Sequence, residues 1–304
     1  MFTHTSDGHI PYSVPAAGKP CQTYYRIFGD LSSGVTPVIA LHGGPGATHT
    51  YILPVSDLTS LHGIPVVFYD QIGCGGSTRL PEKNGDADFW TVQLFLDEFH
   101  NLRKHLGIDK YDVFGHSWGS MLGMEIGIRQ PEGLRRLILS SGPVSMVLWE
   151  KATRKLLTTM PQDIQDMINK HEAAGTFDSP EYAQANEVFN NHFVYRTQPW
   201  PEEIILTFKE LAEEPAAYLT MQGPSEFTIT GSLKTWDVTP HLHKIKVPTL
   251  LTNGGYDEAQ DSVMAPAFRE IPTIKWYTFS KSAHMAMFEE REKFAEVIGG
   301  FLTQ

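Results

Sequence analysis

The stretch YDVFGHSWGSML, residues 111–122, constrains the fold of this chain more than any other. A run of aromatic and β-branched residues, the makings of a buried strand, ends at Gly115, and a helical pattern starts at Trp118. A chain that turns so directly from strand to helix holds the residue at the bend, Ser117, in a sparsely populated backbone conformation, at a cost of about 1 to 3 kcal/mol. The residues two before and two after the bend are pressed together, and only very small side chains fit there; these positions are Gly115 and Gly119. The turn lifts the Ser117 oxygen clear of the sheet, and the helix that follows aims its free N–H groups and positive dipole end at it. In an ordinary loop a G-x-S-x-G is a chance pattern. Between a strand and a helix it marks a candidate nucleophile.

The same alternation runs along most of the chain. Short apolar runs bounded by glycine and proline alternate with longer helical patterns, which implies an α/β fold with a mostly parallel sheet and helices on both faces. Eight strands are expected, near 9–14, 22–28, 36–41, 65–70, 111–115, 135–141, 247–253 and 274–279. Helices are expected over about 89–106, 118–130, 260–270 and 289–302. The alternation breaks once. Residues 144–240 hold helical patterns such as WEKATRKLLTTM and PEYAQANEVFNNHFVYR but no strand run that would extend the sheet. The expected organisation is therefore one α/β domain, residues 1–143 and 241–304, interrupted by a helical cap domain, residues 144–240, with joints near Pro143 and near Lys244 to Pro248. A chain of 304 residues with 41% hydrophobic content can bury the core this needs.

Charge and composition narrow the function. A formal net charge of −11 disfavours phosphate backbones and anionic membranes, so neither nucleic acid nor membrane is an expected partner. The N-terminal residues lack a basic segment followed by an apolar run, and no stretch of some 18 apolar residues occurs. With only Cys21 and Cys74, no disulfide framework or cysteine-rich zinc site is expected, and a cytoplasmic location is the default. The glycine-rich stretches GGPGAT and GCGGST do not fit the dinucleotide or P-loop patterns. His241 and His243 have no H-E-x-x-H or carboxylate partner to make a metal site. No cofactor and no metal are expected, and the sequence carries no signal of oligomeric state.

A serine hydroxyl is a weak nucleophile and needs a base, oriented in turn by an acid, both at the carboxyl ends of later strands. The strand in VPTLLTNGGYDEA leads to Asp257, and the strand in IKWYTFSKSAHMAMFEE leads to His284, just before the last helix. Asp237 and Asp261 fit less well, the first lying before the returning strand and the second inside a helix. A tetrahedral oxyanion needs two donors. These are assigned to the backbone N–H groups of Trp118 and of Gly44, the latter in the loop LHGGPGATHT, where glycine lets the backbone approach a substrate carbonyl. Asp70 and Gln71 are expected to order the loop after the fourth strand, and Cys74 to act there as a small filler.

The combination of HGGPG at 42–46, DQIGCGGS at 70–77, GHSWGS at 115–120, Asp257 and His284 resembles the proline iminopeptidase family of α/β-hydrolases. GPSEFTITG at 223–231 is similar to the cap segment of its archaeal tricorn-interacting members, so the resemblance spans nearly the whole chain. It implies removal of an N-terminal residue, often proline, from small peptides, amino acid amides or arylamides, through an acyl-enzyme and without a cofactor. Two departures stand out: His116 where many members carry glycine before the serine, and Ala283 where glycine often precedes the histidine.

Two carboxylates support an aminopeptidase independently. Glu258 beside Asp257, and Glu226 between Ser225 and Phe227, have little use in a hydrolase of uncharged esters, whereas a substrate's α-ammonium needs carboxylates to meet it. The resemblance assigns both to gripping that amine. The plainer alternative is that both are solvated surface charges. Gly43 is expected to contact substrate, and Phe227, Trp236, Tyr218 and the aromatics of VYRTQPW to line an apolar pocket for the first side chain. An esterase or lactonase of the same fold, acting on a metabolite without a free amine, is the alternative function. A carboxylate nucleophile, which epoxide and dehalogenating hydrolases need, is absent from position 117.

Overall fold

The strands that read as unbroken apolar runs lie inside the sheet, and those that alternate lie at its edge. The computed structural model describes residues 4–304. Its strands are β1 (Ser6–Tyr12), β2 (Cys21–Phe28), β3 (Val38–Leu41), β4 (Val66–Tyr69), β5 (Tyr111–His116), β6 (Leu134–Ser140), β7 (Thr249–Gly254) and β8 (Ile274–Phe279). They form one sheet in the order β1-β2-β4-β3-β5-β6-β7-β8. β1 and β2 are antiparallel to each other and β2 to β4; the other pairs are parallel. β3, β4, β5 and β7 are buried along their whole length, as strands covered on both faces must be. Successive side chains leave the sheet on opposite sides. Ile39, Leu41, Val67 and Leu137 enter one apolar core, while Val38, Ala40, Phe68 and Ile138 enter the other.

Helices α1 (Asp57–His62), α2 (Val92–His105) and α3 (Trp118–Arg129) fall before β6. Five more, α4 (Met146–Leu157), α5 (Gln162–Ala174), α6 (Pro180–Phe193), α7 (Glu202–Glu213) and α8 (Ala216–Met221), occupy the chain between β6 and β7. That block has a separate apolar cluster, in which Leu157, Ile168, Tyr182, Phe189 and Phe227 meet. Helix α9 (Asp261–Glu270) joins β7 to β8, and α10 (Ala286–Glu289) and α11 (Arg291–Leu302) end the chain.

Differences from the expected elements have local causes. The helix read from residue 89 begins at Val92, because the Thr91 hydroxyl caps it by accepting the Leu94 N–H. The final helix is broken at Glu290, whose φ of −129° leaves the helical region. β1 lies nearer the N-terminus than expected because its ladder with β2 begins at Ser6 opposite Ile27. Helix α1, six residues long, is too short for a periodic pattern to reveal it.

One buried carboxyl makes stability depend on pH. Glu98 on α2 is fully buried, accepting from the Thr23 hydroxyl at 2.5 Å and the Ile72 N–H at 2.9 Å. Burial pushes its carboxyl from an ordinary 4.5 up to about 8, against the pull of those two hydrogen bonds. The folded chain therefore holds a proton that the unfolded chain releases, so this contribution is present below about pH 4.5 and is lost as pH rises through about 8. Between those values the wild type should lose stability relative to Glu98→Gln, with a slope of up to about 1.4 kcal/mol per pH unit. Denaturant unfolding of both proteins at several pH values checks this, and parallel profiles would refute it.

Candidate active site

The site is assembled at the carboxyl ends of the parallel strands, where open α/β sheets place their ligands. Ser117 is the single residue between β5 and α3, with φ 57° and ψ −122°. The flanking glycines answer to different neighbours. A Cβ on Gly115 would stand 2.1 Å from the Gly119 carbonyl oxygen, as the turn requires, whereas one on Gly119 would stand 2.1 Å from the Leu41 carbonyl of β3. The bend is therefore wedged against the next strand as well as folded on itself.

Asp257 follows β7, and His284 follows β8. His284 Nδ1 lies 2.8 Å from Asp257 Oδ1, and both residues are buried. Asp257 also accepts from the Ser141 hydroxyl at 2.7 Å and from the N–H groups of Gly254 and Ala259 at 3.1 and 2.8 Å. Burial works against the Asp257 charge, but the imidazole and these donors outweigh it and hold the carboxyl below its ordinary value. An ionised Asp257 accepts a hydrogen bond from Nδ1–H, the tautomer that leaves Nε2 of the neutral ring as an acceptor. Ser117 and His284 line one cavity of about 410 Å³, with no hydrogen bond between their side chains. Such contacts tighten when a substrate is bound.

Gly44 lines the same cavity at φ 111°, where a Cβ would come within 2.6 Å of the Ala47 and Gly46 nitrogens. The N–H groups of Gly44 and Trp118 donate to none of the described residues. The Trp118 side chain points elsewhere, its indole N–H donating to Gln71 Oε1 at 2.8 Å. Gln71 in turn donates through its amide to the His42 carbonyl and through its backbone N–H to His42 Nε2. It thus ties the glycine loop after β3 to the first residue of α3. Asp70 accepts from the His49 backbone and ring and from the Gly76 N–H, which orders the turn after β4. Cys74 has a neighbour that the sequence did not reveal, His42 Nε2 at 3.6 Å. Its Sγ nevertheless donates to the Gln71 carbonyl at 3.1 Å, and burial pushes the thiol well above its ordinary value, so it stays protonated filler.

The two glutamates expected at the amine are drawn into the cavity with His284. Glu258 is 2% exposed, so it is not a solvated surface charge. Its Oε1 lies 3.8 Å from His284 Nε2, and its Oε2 has no hydrogen-bond partner. Glu226 accepts from the Tyr218 hydroxyl at 2.6 Å and from the Gln222 amide at 3.4 Å. Burial, then Glu226, then Asp257 push the Glu258 carboxyl well above its ordinary value. Burial raises that of Glu226 too, opposed by Tyr218 and His284. Tyr218 and Phe227 line the cavity as expected, and apolar side chains of α7 complete its wall.

Four expected substrate contacts are not on that wall. Gly43 is buried, and its N–H is taken by the Tyr51 hydroxyl at 2.7 Å; a Cβ would meet that oxygen at 2.6 Å, so packing requires the glycine. Trp236 leaves the cavity because its indole N–H donates to Glu125 on α3 at 2.9 Å and its ring packs on the sheet core. Tyr195 and Trp200 of VYRTQPW meet edge to face, and Tyr195 meets Phe288 and Trp200 meets Phe208 in the same way, instead of lining the pocket.

Other residues of the site had no sequence signal of their own. Ser141 sits in the left-handed region at φ 53°, one residue past the end of β6, and that strand-end position is the only hint it offered. Phe193, the last residue of α6, offers its carbonyl to the N–H groups of both Glu258 and His284, at 3.3 Å each. Glu289 accepts from the N–H groups of Ala283 and Arg196 at 2.6 and 2.7 Å, and so fastens the histidine loop to the segment after α6.

Residues 36–291 match the family model described as the alpha/beta hydrolase fold. The proline iminopeptidase of Saccharolobus solfataricus is 38% identical over 282 residues, 92% of this chain and 89% of that one. The crystal structure of the Mycobacterium smegmatis proline iminopeptidase superposes with a TM-score of 0.89 at 38% identity, covering 98% of each chain. The crystal structure of VinJ superposes with a TM-score of 0.94 at 43% identity, covering 99% of each.

Proposed function

Because this chain belongs to the proline iminopeptidase family of α/β-hydrolases, we propose that it is a serine aminopeptidase that releases an N-terminal residue, proline or another small apolar one, from short peptides, amino acid amides or arylamides. The observation that carries this reading is the half-buried Glu226 and the buried Glu258 lining one cavity, with Glu258 Oε2 unpartnered beside His284. Two carboxylates facing one cavity, one of them without a hydrogen-bond partner, are expensive to hold ionised there, and a substrate ammonium answers them. An ester or lactone offers nothing in return.

In this reading Ser117 Oγ attacks the carbonyl carbon of the first residue while His284 Nε2 takes its proton. Asp257 holds the Nδ1 proton and stabilises the imidazolium. The N–H groups of Gly44 and Trp118 receive the negative oxygen of the tetrahedral intermediate. His284 then gives its proton to the departing amine, which leaves Ser117 acylated by the first residue. A water molecule, deprotonated by His284, attacks that ester; the acyl–Oγ bond then breaks, His284 returns the proton to Ser117 Oγ, and the amino acid is released. The helical block, residues 144–240, acts as a cap domain that supplies Glu226, Tyr218 and Phe227 to the cavity.

The test compares prolyl and alanyl arylamides with their N-acetylated forms. Free-amino substrates should be turned over at least about 100-fold more efficiently, since acetylation removes the charge that the carboxylates meet. Equal turnover of both forms would favour the esterase reading.

A further inference from the structure

We propose that His116, the residue before Ser117, is a positioning residue that ties the oxyanion loop, the nucleophile turn and the histidine loop into one hydrogen-bonded unit. Its ring is fully buried. Nε2 lies 2.8 Å from the backbone carbonyl oxygen of His284, and Nδ1 lies 2.8 Å from the Tyr51 hydroxyl. The Tyr51 oxygen in turn lies 2.7 Å from the Gly43 nitrogen.

The chemistry of the groups fixes the direction of every bond. A carbonyl can only accept, so His116 Nε2 carries the proton. Nδ1 of the neutral ring must then accept, and the Tyr51 O–H supplies the proton. The Tyr51 oxygen, its hydrogen committed, accepts from the Gly43 N–H. One end of this chain is the residue before the Gly44 donor, the other is the backbone of the general base, and the middle is the residue before Ser117. A glycine at 116 would offer none of these side-chain contacts.

The unit also takes Gly43 out of competition for the oxyanion. With its N–H pinned to Tyr51, the peptide planes of the loop are set so that Gly44, not Gly43, faces the cavity. Neutrality of His116 is part of the device. Its ring centroid is 4.6 Å from that of His284, close enough for a charge on one to oppose a charge on the other. Burial pushes the His116 imidazole down to about 3, so the ring stays uncharged while His284 gains and loses its proton.

This role rests on the serine and histidine chemistry proposed above, though not on the identity of the substrate. The experiment therefore reads the second-order rate of labelling by a fluorophosphonate, in which Ser117 Oγ bonds to phosphorus, fluoride departs and the serine proton passes to His284. Tyr51→Phe and His116→Phe are each expected to slow labelling by about 10- to 100-fold, the usual effect of a small misplacement of reacting groups. The double variant should be no slower than the worse single one, because either change breaks the same chain. His116→Gln, whose amide can reach the His284 carbonyl, should recover part of the loss. Single variants within twofold of wild type, or losses that multiply in the double variant, would overturn the proposal. Should His116→Phe fail to fold, Tyr51→Phe, which removes one oxygen only, decides by the same twofold limit. A wild type that does not label would bring down the serine reading together with this one.

Discussion

Ser117→Ala should lower hydrolysis of prolyl and alanyl arylamides by at least about 10⁴-fold, with the thermal unfolding transition unmoved. The expectation rests on where the oxygen sits. Ser117 is held at φ 57° between β5 and α3, opens into the cavity shared with His284, and uses its side chain in no hydrogen bond that the fold requires. Alanine keeps the Cβ and accepts the same backbone strain, so only the nucleophile is lost. The remaining rate would come from the oxyanion donors and the binding of substrate, which act without the hydroxyl. Turnover left intact would remove Ser117 from the chemistry, and failure to fold would mean that the turn depends on the hydroxyl in a way its partners do not indicate.

The second large effect separates substrates. Glu226→Gln and Glu258→Gln should each weaken kcat/KM for free-amino substrates by about 2 to 5 kcal/mol, a loss of about 30- to several-thousand-fold. Hydrolysis of p-nitrophenyl acetate, which has no amine, should change by less than about threefold, since neither carboxylate supports Ser117 or His284 through a short hydrogen bond. The pH dependence has a defined sign. Burial raises both carboxyls, most strongly Glu258, so in the empty site protons compete with the substrate ammonium. KM for amine substrates should therefore rise as pH falls, and the glutamine variants should flatten that rise. Equal losses on amine and acetate substrates would take both glutamates out of amine recognition.

The parts of this site carried by strand ends could be read from the sequence, because a strand end is a local signal. Ser117 is marked by its own flanking glycines, and Asp257 and His284 follow apolar runs that can be recognised one at a time. Their meeting at 2.8 Å follows from strand order, since β7 and β8 are adjacent and parallel. Contacts that depend on three-dimensional crossings left no such mark. Gly43 reads as a residue for close substrate approach, and only the structure reveals the Tyr51 hydroxyl occupying that approach. Trp236 reads as a pocket aromatic because it lies in the helical block, but Glu125 on α3 draws it to the opposite side of the joint. His116 reads as a departure of unknown effect, since both of its partners are remote in sequence, Tyr51 by 65 residues and His284 by 168.

The carbonyl of Phe193 carries a further implication. The last residue of α6 receives the N–H groups of both Glu258 and His284, so the loops that carry these two residues are anchored on a helix outside the sheet. A chain nicked within residues 144–240 can keep its sheet while those two loops lose their common mooring. Hydrolysis should then fail before the sheet core loosens.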